Sequence, residues 1–229
     1  MPKGEGSQPV GSRRVLCQVS QGEIRLFTLP IRPRKTAAPP KVNRGFWYKL
    51  EESTNKRMVT ITRVAAHETA DHIKALAQLL QVVVDEGASI GFLPPLAEAE
   101  AQLYWKKALA DVADGHRLLF AAWQAQQLAG SVQLSLETRR NGDHRAEVQK
   151  LMVHPSFRRR GIARQLMSAA EEAARQHHRS LIVLDTRRGD PSELLYQSLG
   201  YVVAGVIPRY ARSAGGQLDD TVLYYRELT

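Results

Sequence analysis

The chain has 229 residues with 43% hydrophobic content, one cysteine and a net charge of +9, enough for one good-sized core and an appendage. A lone cysteine excludes an internal disulfide and a cysteine-based metal site and suits a reducing cytoplasm, and the lack of any run of about 18 apolar residues excludes a spanning helix. Met1 to Arg57 carry 12 Lys or Arg against 4 Asp or Glu, while Met58 to Thr229 carry 20 against 19, so the body is too evenly charged for a broad nucleic-acid footprint. Residues 1–57 read as a basic, flexible extension, since blocks of like charge stay solvated. Within it, Val15–Val19 and Glu23–Phe27 flank Gln21-Gly22 in the pattern of a small hairpin. Met58, where regular alternating elements begin, is the expected natural start of the folded domain at 58–229.

From Met58 the order reads strand, two helices, three strands, helix, strand, short helix, two strands. Val59–Val64 alternates with the two-residue period of a half-buried strand. Ile73, Leu76, Leu80 and Val83 recur at helical spacing up to a stop at Gly87. A second helix spans about Leu96 to Ala113, with Leu103, Tyr104, Leu109 and Val112 expected inward. Leu118–Trp123 and Leu128–Leu136 form strands around a turn near Gln126-Gln127. Val132, Leu134 and Leu136 alternate there with Ser131, Gln133 and Ser135. Asn141-Gly142 is a hairpin signal ahead of the strand Ala146–Val153. The strand–helix–strand run from Val148 to Asp185 has the form of a crossover joining parallel strands. The expected fold class is thus α/β (α+β), a mixed, mostly antiparallel sheet flanked by helices.

The segment His154-Pro-Ser-Phe-Arg158-Arg159-Arg160-Gly161-Ile162-Ala163-Arg164 joins a strand to a helix whose apolar face is Ile162, Leu166, Ala169, Ala170 and Ala173. A loop feeding a helix start offers unpaired N–H groups and the positive end of the helix dipole, which suits a pyrophosphate. Gly161 permits close approach of the backbone, and the arginines add charge-assisted donors. No Gly-x-x-x-x-Gly-Lys-Ser/Thr and no Gly-x-Gly-x-x-Gly is present, which disfavours nucleoside triphosphates and dinucleotides. A second element, Tyr196-Gln-Ser-Leu-Gly200-Tyr201, ends a short helix. The histidines form no metal constellation; His177 and His178 sit at a helix end, where positive charge suits the dipole.

Together, Arg158-x-x-Gly161-x-Ala163 and Tyr196-x-x-x-Gly200-Tyr201 resemble the GNAT superfamily of N-acetyltransferases over Met58 to Thr229. Gly189 stands where many members carry asparagine. Gly87–Phe92, Arg145–Val153, Arg164–Met167, Leu184–Thr186 and the tail from Pro208 to Leu218 look like the tabtoxin resistance branch, known for acetylating a β-lactam amino-acid toxin.

The resemblance implies acetyl-CoA as donor, no metal, and direct attack of an amine on the thioester. The amine would belong to a small molecule, with a homodimer expected from the superfamily. Leu151, Met152, Val153 and the stretch Arg158 to Arg164 would hold acetyl-CoA, with an N–H between Leu151 and Val153 on the oxyanion. Tyr196 would be the general acid, and Glu147 or Asp185 the base. Gly91, Phe92, Trp105 and Tyr210 would shape the acceptor pocket. The competing readings are a protein or peptide acceptor, or a non-catalytic acetyl-CoA sensor whose basic arm docks on nucleic acid.

Overall fold

The computed structural model describes residues 14–20, 23–29, 58–67 and 70–228. The chain divides into two compact units, Met1–Lys56 and Arg57–Thr229. In the first, β1 (Arg14–Ser20) and β2 (Glu23–Leu29) pair antiparallel with Ser20 opposite Glu23, the hairpin that the sequence pattern implies.

The second unit begins with β3 (Val59–Arg63), followed by α1 (Ala70–Asp85) and α2 (Glu98–Ala113). Three antiparallel strands come next, β4 (Arg117–Gln124), β5 (Gln127–Leu136) and β6 (Arg145–Val153). A 3₁₀ turn at Pro155–Phe157 leads into α3 (Ile162–Gln176), then β7 (Leu181–Arg187) and α4 (Ser192–Ser198). The hairpin β8 (Val202–Arg212) and β9 (Leu218–Glu227) completes the unit. The seven strands order as β3-β4-β5-β6-β7-β9-β8, and only β6 and β7, joined through α3, run parallel.

Local chemistry accounts for the connections. The β4–β5 turn places Ala125 and Gln126 at φ 48° and 65°, the geometry that matches strand twist in a two-residue hairpin. It falls one residue earlier than the sequence suggests. Gly87 closes α1 at φ 82°, and Gly200 ends the α4 turn at φ 85°, both in the left-handed region that glycine enters without penalty.

Side chains of β4 alternate between two cores. Leu118, Phe120 and Ala122 join Ile162, Leu166, Met167 and Tyr196 from α3 and α4. Leu119 and Ala121 join Leu76, Leu80, Trp105 and Leu109 from α1 and α2. Helices therefore cover both faces of the central strands. That is why Ser131 and Gln133 of β5, which alternation places on a polar face, are fully buried. Leu103, expected inward on α2, points out and is 52% exposed. The helix packs instead through Ala101, Trp105, Ala108 and Leu109.

Gly130 of β5 lies under the start of α3. A Cβ there would come within 2.6 Å of the Met152 carbonyl oxygen and 3.2 Å of Leu166 Cδ1. A backbone atom cannot swing aside, so Gly130→Ala must push β5 and β6 apart. The expected cost is about 1–3 kcal/mol, seen as a lowered thermal midpoint. An unchanged midpoint would mean that the sheet yields there without strain.

A candidate active site at the pargting of beta6 and beta7

The parallel pairing of β6 and β7 joins Arg145, Ala146 and Glu147 to Leu181, Ile182 and Val183 and goes no further. Beyond it β7 stays paired to β9, from Leu184 opposite Tyr224 to Arg187 opposite Thr221. β6 stays paired to β5 as far as Val153 opposite Gly130. The two strands thus part, and the β7-facing main chain of β6 after Glu147 has no ladder partner among the described residues.

The same stretch of β6 carries a bulge. Ser131 faces Met152 and Gln133 faces Gln149, so Val132 alone stands opposite both Lys150 and Leu151. Lys150 takes φ 49°, a conformation costly for a side chain other than glycine. The extra residue resets the alternation. Ala146 and Val148 face the α3 core before it, whereas Leu151 and Val153 do so after it.

β6 leads into the turn expected to hold a phosphate group. The N–H groups of Arg159 to Arg164 have no acceptor among the described residues; the first helical bond there is Gln165 N–H to the Gly161 carbonyl. Arg159 and Gly161 adopt φ 62° and 79°, and nothing lies within 4 Å of a Cβ built on Gly161. Gly161 is therefore required for its backbone angle rather than for space. The six free donors at the start of a 15-residue helix fit an anion of pyrophosphate size.

The arginine side chains are mostly engaged elsewhere. Arg158 pairs with Glu86 at 2.6 Å and donates to the Val153 carbonyl. Arg160 donates to the Ser156 carbonyl at 2.7 Å and lies over the Phe157 ring, while Arg164 donates to Ser198 Oγ at 2.7 Å. Only Arg159 of these four makes no such contact among the described residues. Three of the expected phosphate ligands thus fix the loop, which leaves the main chain as the principal donor.

Tyr196 is buried on α4 between the rings of Tyr201 and Tyr224. Burial, reinforced by the charges of Asp190 and Asp185, pushes its hydroxyl well above the ordinary phenol value. α4 is tied down by Glu193, which accepts from the Gly189 N–H at 2.6 Å and from Tyr224 Oη at 2.6 Å. Gly189 sits at φ 83°, in the left-handed region that glycine enters without penalty.

Glu147 and Asp185 share the opposite face of the sheet, because their neighbours Ala146, Val148, Ile182 and Leu184 all point into the α3 core. The Asp185 carboxylate accepts from Thr221 Oγ1 at 2.8 Å. Glu147 has no hydrogen bond or ion pair among the described residues. Arg145, a natural partner for it, pairs instead with Glu137 at 2.7 Å. Glu147 lines a cavity of about 270 Å³ with Ser135, Arg145 and Val183.

On that face the structure gathers Lys150, Arg117 and Gln149, to which sequence reasoning gave no role, around Phe92 and Tyr104. Lys150 Nζ lies 5.8 Å from the Phe92 ring centroid and 5.5 Å from that of Tyr104, and those rings meet edge to face at 5.3 Å. Tyr104 Oη donates to Gln133 Oε1 at 3.0 Å. Arg117 donates to Gln133 Oε1 and Gln149 Oε1 and pairs with Asp111 at 3.0 Å. The adjacent polar pair Gln149-Lys150, breaking the alternation that runs from Arg145 to Val148, was the available signal.

Of the acceptor residues expected from sequence, Gly91 and Phe92 fall within this cluster. Trp105 does not: it is 0% exposed in the core between α1, α2 and the sheet, so it cannot wall a pocket. Tyr210 stands 56% exposed on β8, the edge strand.

A mixed sheet opened at its one parallel pair, with a helix start of free N–H groups at the opening, is the arrangement expected of an acetyltransferase fold. The chain belongs to the acetyltransferase (GNAT) family, whose profile it matches over residues 74–201. It is 32% identical over 139 residues to a protein of Azospirillum brasilense named as an N-acetyltransferase in the hisH-hisA intergenic region, spanning 58% of this chain and 80% of that one. Similar solved structures include an N-acetyltransferase from Staphylococcus aureus, with TM-score 0.63 at 14% identity over 75% of this chain and 99% of that one. The yncA protein of Salmonella typhimurium, solved with its cofactor acetyl-CoA, has TM-score 0.61 at 17% identity over 75% and 94%. The ribosomal-protein-alanine N-acetyltransferase of Brucella melitensis has TM-score 0.61 at 19% identity over 73% and 99%. The family draws its acetyl group from acetyl-CoA.

Proposed function

We propose that the protein transfers acetyl from acetyl-CoA to the amine of a small, amino-acid-like molecule, by direct attack of the amine on the thioester. The observation that carries this reading is the parting of β6 and β7 immediately before six unpaired N–H groups at the start of α3. Donors of that kind hold a pyrophosphate, and the unpaired edge of β6 at Leu151, Met152 and Val153 takes the amide-bearing arm of acetyl-CoA as an added strand would. An N–H of the same stretch is aimed where charge develops on the thioester oxygen.

Glu147 is the preferred base over Asp185. Its carboxylate is unengaged, whereas that of Asp185 already accepts from Thr221. It removes a proton from the incoming ammonium, through a water where the gap requires one. Tyr196, held protonated by burial, donates to the departing thiolate, whose ordinary pKa is about 8.5. The resemblance to the tabtoxin resistance branch extends the acceptor class to β-lactam amino acids.

The test is thiol release from acetyl-CoA across small amines, amino acids, β-lactam amino acids and peptide amino termini. Turnover is expected with a small amine at a higher kcat/KM than with any peptide. Turnover with peptides alone would replace the acceptor class. Binding of acetyl-CoA with no turnover on any amine would replace the enzyme by a sensor.

A further inference from the structure

Resting on the reading of this chain as an N-acetyltransferase of small amines, we propose that Lys150 is the anion-recognition residue of the acceptor site, so that the acceptor is a zwitterion whose carboxylate is held by the Lys150 ammonium while its amine faces Glu147. The bulge in β6 is the first support. Strict alternation would send Lys150 into the α3 core beside Val148; the inserted residue turns Gln149 and Lys150 together to the face that carries Glu147 and Asp185. A lysine at φ 49° retains strain that a glycine would remove, and strain of this kind collects at functional sites.

The second support is an unmet charge. Lys150 is half-buried, and loss of water together with the nearby Arg117 guanidinium pulls its pKa below the ordinary lysine value. Among the described residues no carboxylate comes within 4 Å of it; Glu147 and Asp185 act on it only from a distance. The faces of Phe92 and Tyr104 offset part of the cost, as aromatic quadrupoles do for a cation. Arg117 is less free to take the same part, because Asp111, Gln133 and Gln149 occupy four of its five donors.

The polarity around the ammonium agrees with a ligand. Gly91, at φ 87°, lies beside it; a Cβ there would lie 3.5 Å from Lys150 Nζ. Below it Gln133, fully buried, has an Nε2 with no hydrogen-bond partner. Glu147 and Lys150 stand three residues apart on one strand, turned to the same face by the bulge. An ammonium drawn to the carboxylate end and a carboxylate drawn to the lysine end fit an amino acid in one orientation and oppose the reverse. A diamine or an aminoglycoside would set positive charge against Lys150.

The experiment compares kcat/KM for each amine that turns over with that for its carboxamide, in the wild type and in Lys150→Met. Because Met keeps the length and apolar contact of the stem, folding is checked by thermal midpoint and by KM for acetyl-CoA, both expected to hold. The wild type should favour the acid over the carboxamide by about 10- to 100-fold, the range of a charge-assisted pair lost from a half-buried site. Lys150→Met should erase that preference by raising KM for the acid, with the carboxamide little affected, and Lys150→Arg should restore part of it. Equal rates for acid and carboxamide in the wild type would overturn the proposal while leaving the acetyltransferase reading intact. So would an equal loss on both in Lys150→Met, or turnover only of amines without an anionic group. No turnover of any amine would overturn both.

Discussion

Tyr196→Phe is expected to lower kcat by roughly 100- to 10,000-fold, the range for loss of a general acid, with KM for acetyl-CoA and the thermal midpoint nearly unchanged. The ring is what the core uses: it packs on Tyr201 and Tyr224 at 5.9 and 5.8 Å, and Phe retains it. The hydroxyl is what the proposed mechanism uses, because there its proton meets the leaving thiolate only as the carbon–sulfur bond breaks. A group engaged only in the transition state appears in kcat rather than KM. The pH profile gives an independent reading. Burial raises the pKa of the phenol, so the proton stays on as pH climbs past 9, and no alkaline fall in kcat should arise from this residue. If a fall near pH 9 is present in the wild type and absent from Tyr196→Phe, the phenol ionises in the working range, which would overturn its raised pKa while still marking its proton as needed. A merely structural tyrosine would instead show a lowered midpoint with kcat preserved.

Trp105→Ala has the largest expected effect on stability, about 3–5 kcal/mol. Trp105 is fully buried where α2 meets α1 and the sheet, with Tyr104 edge-on at 5.2 Å. Removing an indole leaves a void that a helix pinned by Ala101, Ala108 and Leu109 cannot close. For a domain of this size the midpoint should fall by about 6–20 °C. Trp105→Phe should cost far less, since the indole Nε1 is buried without a hydrogen-bond partner and its loss removes a penalty as well as volume. Calorimetric or denaturant unfolding of both variants checks the pair. Near-native stability in Trp105→Ala with a raised KM for the amine would return Trp105 to the acceptor pocket.

What could be read from sequence, and what could not, divides along the range of the interactions. The turn at Arg158 to Ala163, the short helix carrying Tyr196 and the β1–β2 hairpin are local: a glycine at φ 79° or a two-residue gap between paired strands leaves its mark within a few residues. The facing of α2 is not local. Tyr104 and Trp105 lie one residue apart, about 100° around a helix, and which of them enters the core depends on α1 and β4. Lys150 was hidden for a sharper reason. Period-two alternation holds only while pairing is regular, and the bulge between Ser131 and Gln133 breaks it at the one point where the site needs two adjacent polar side chains on the same face. The roles of Arg158 and Arg160 were likewise unreadable, because Glu86 and Gln124 reach them from 72 and 36 residues away.

An ordinary sheet has two unpaired margins, both on its outside. This one has a third at its centre, where β6 runs on without β7 after only three shared pairs. The outer margins can be met by any extended chain, whereas the central one accepts only something thin enough to enter between strands already joined at one end. Whatever fills it completes the sheet, so occupancy and fold integrity become a single equilibrium. At a ligand concentration 100 times Kd that linkage adds about 2.7 kcal/mol to the unfolding free energy. With acetyl-CoA as the proposed occupant, the protein is expected to resist unfolding most when that donor is abundant.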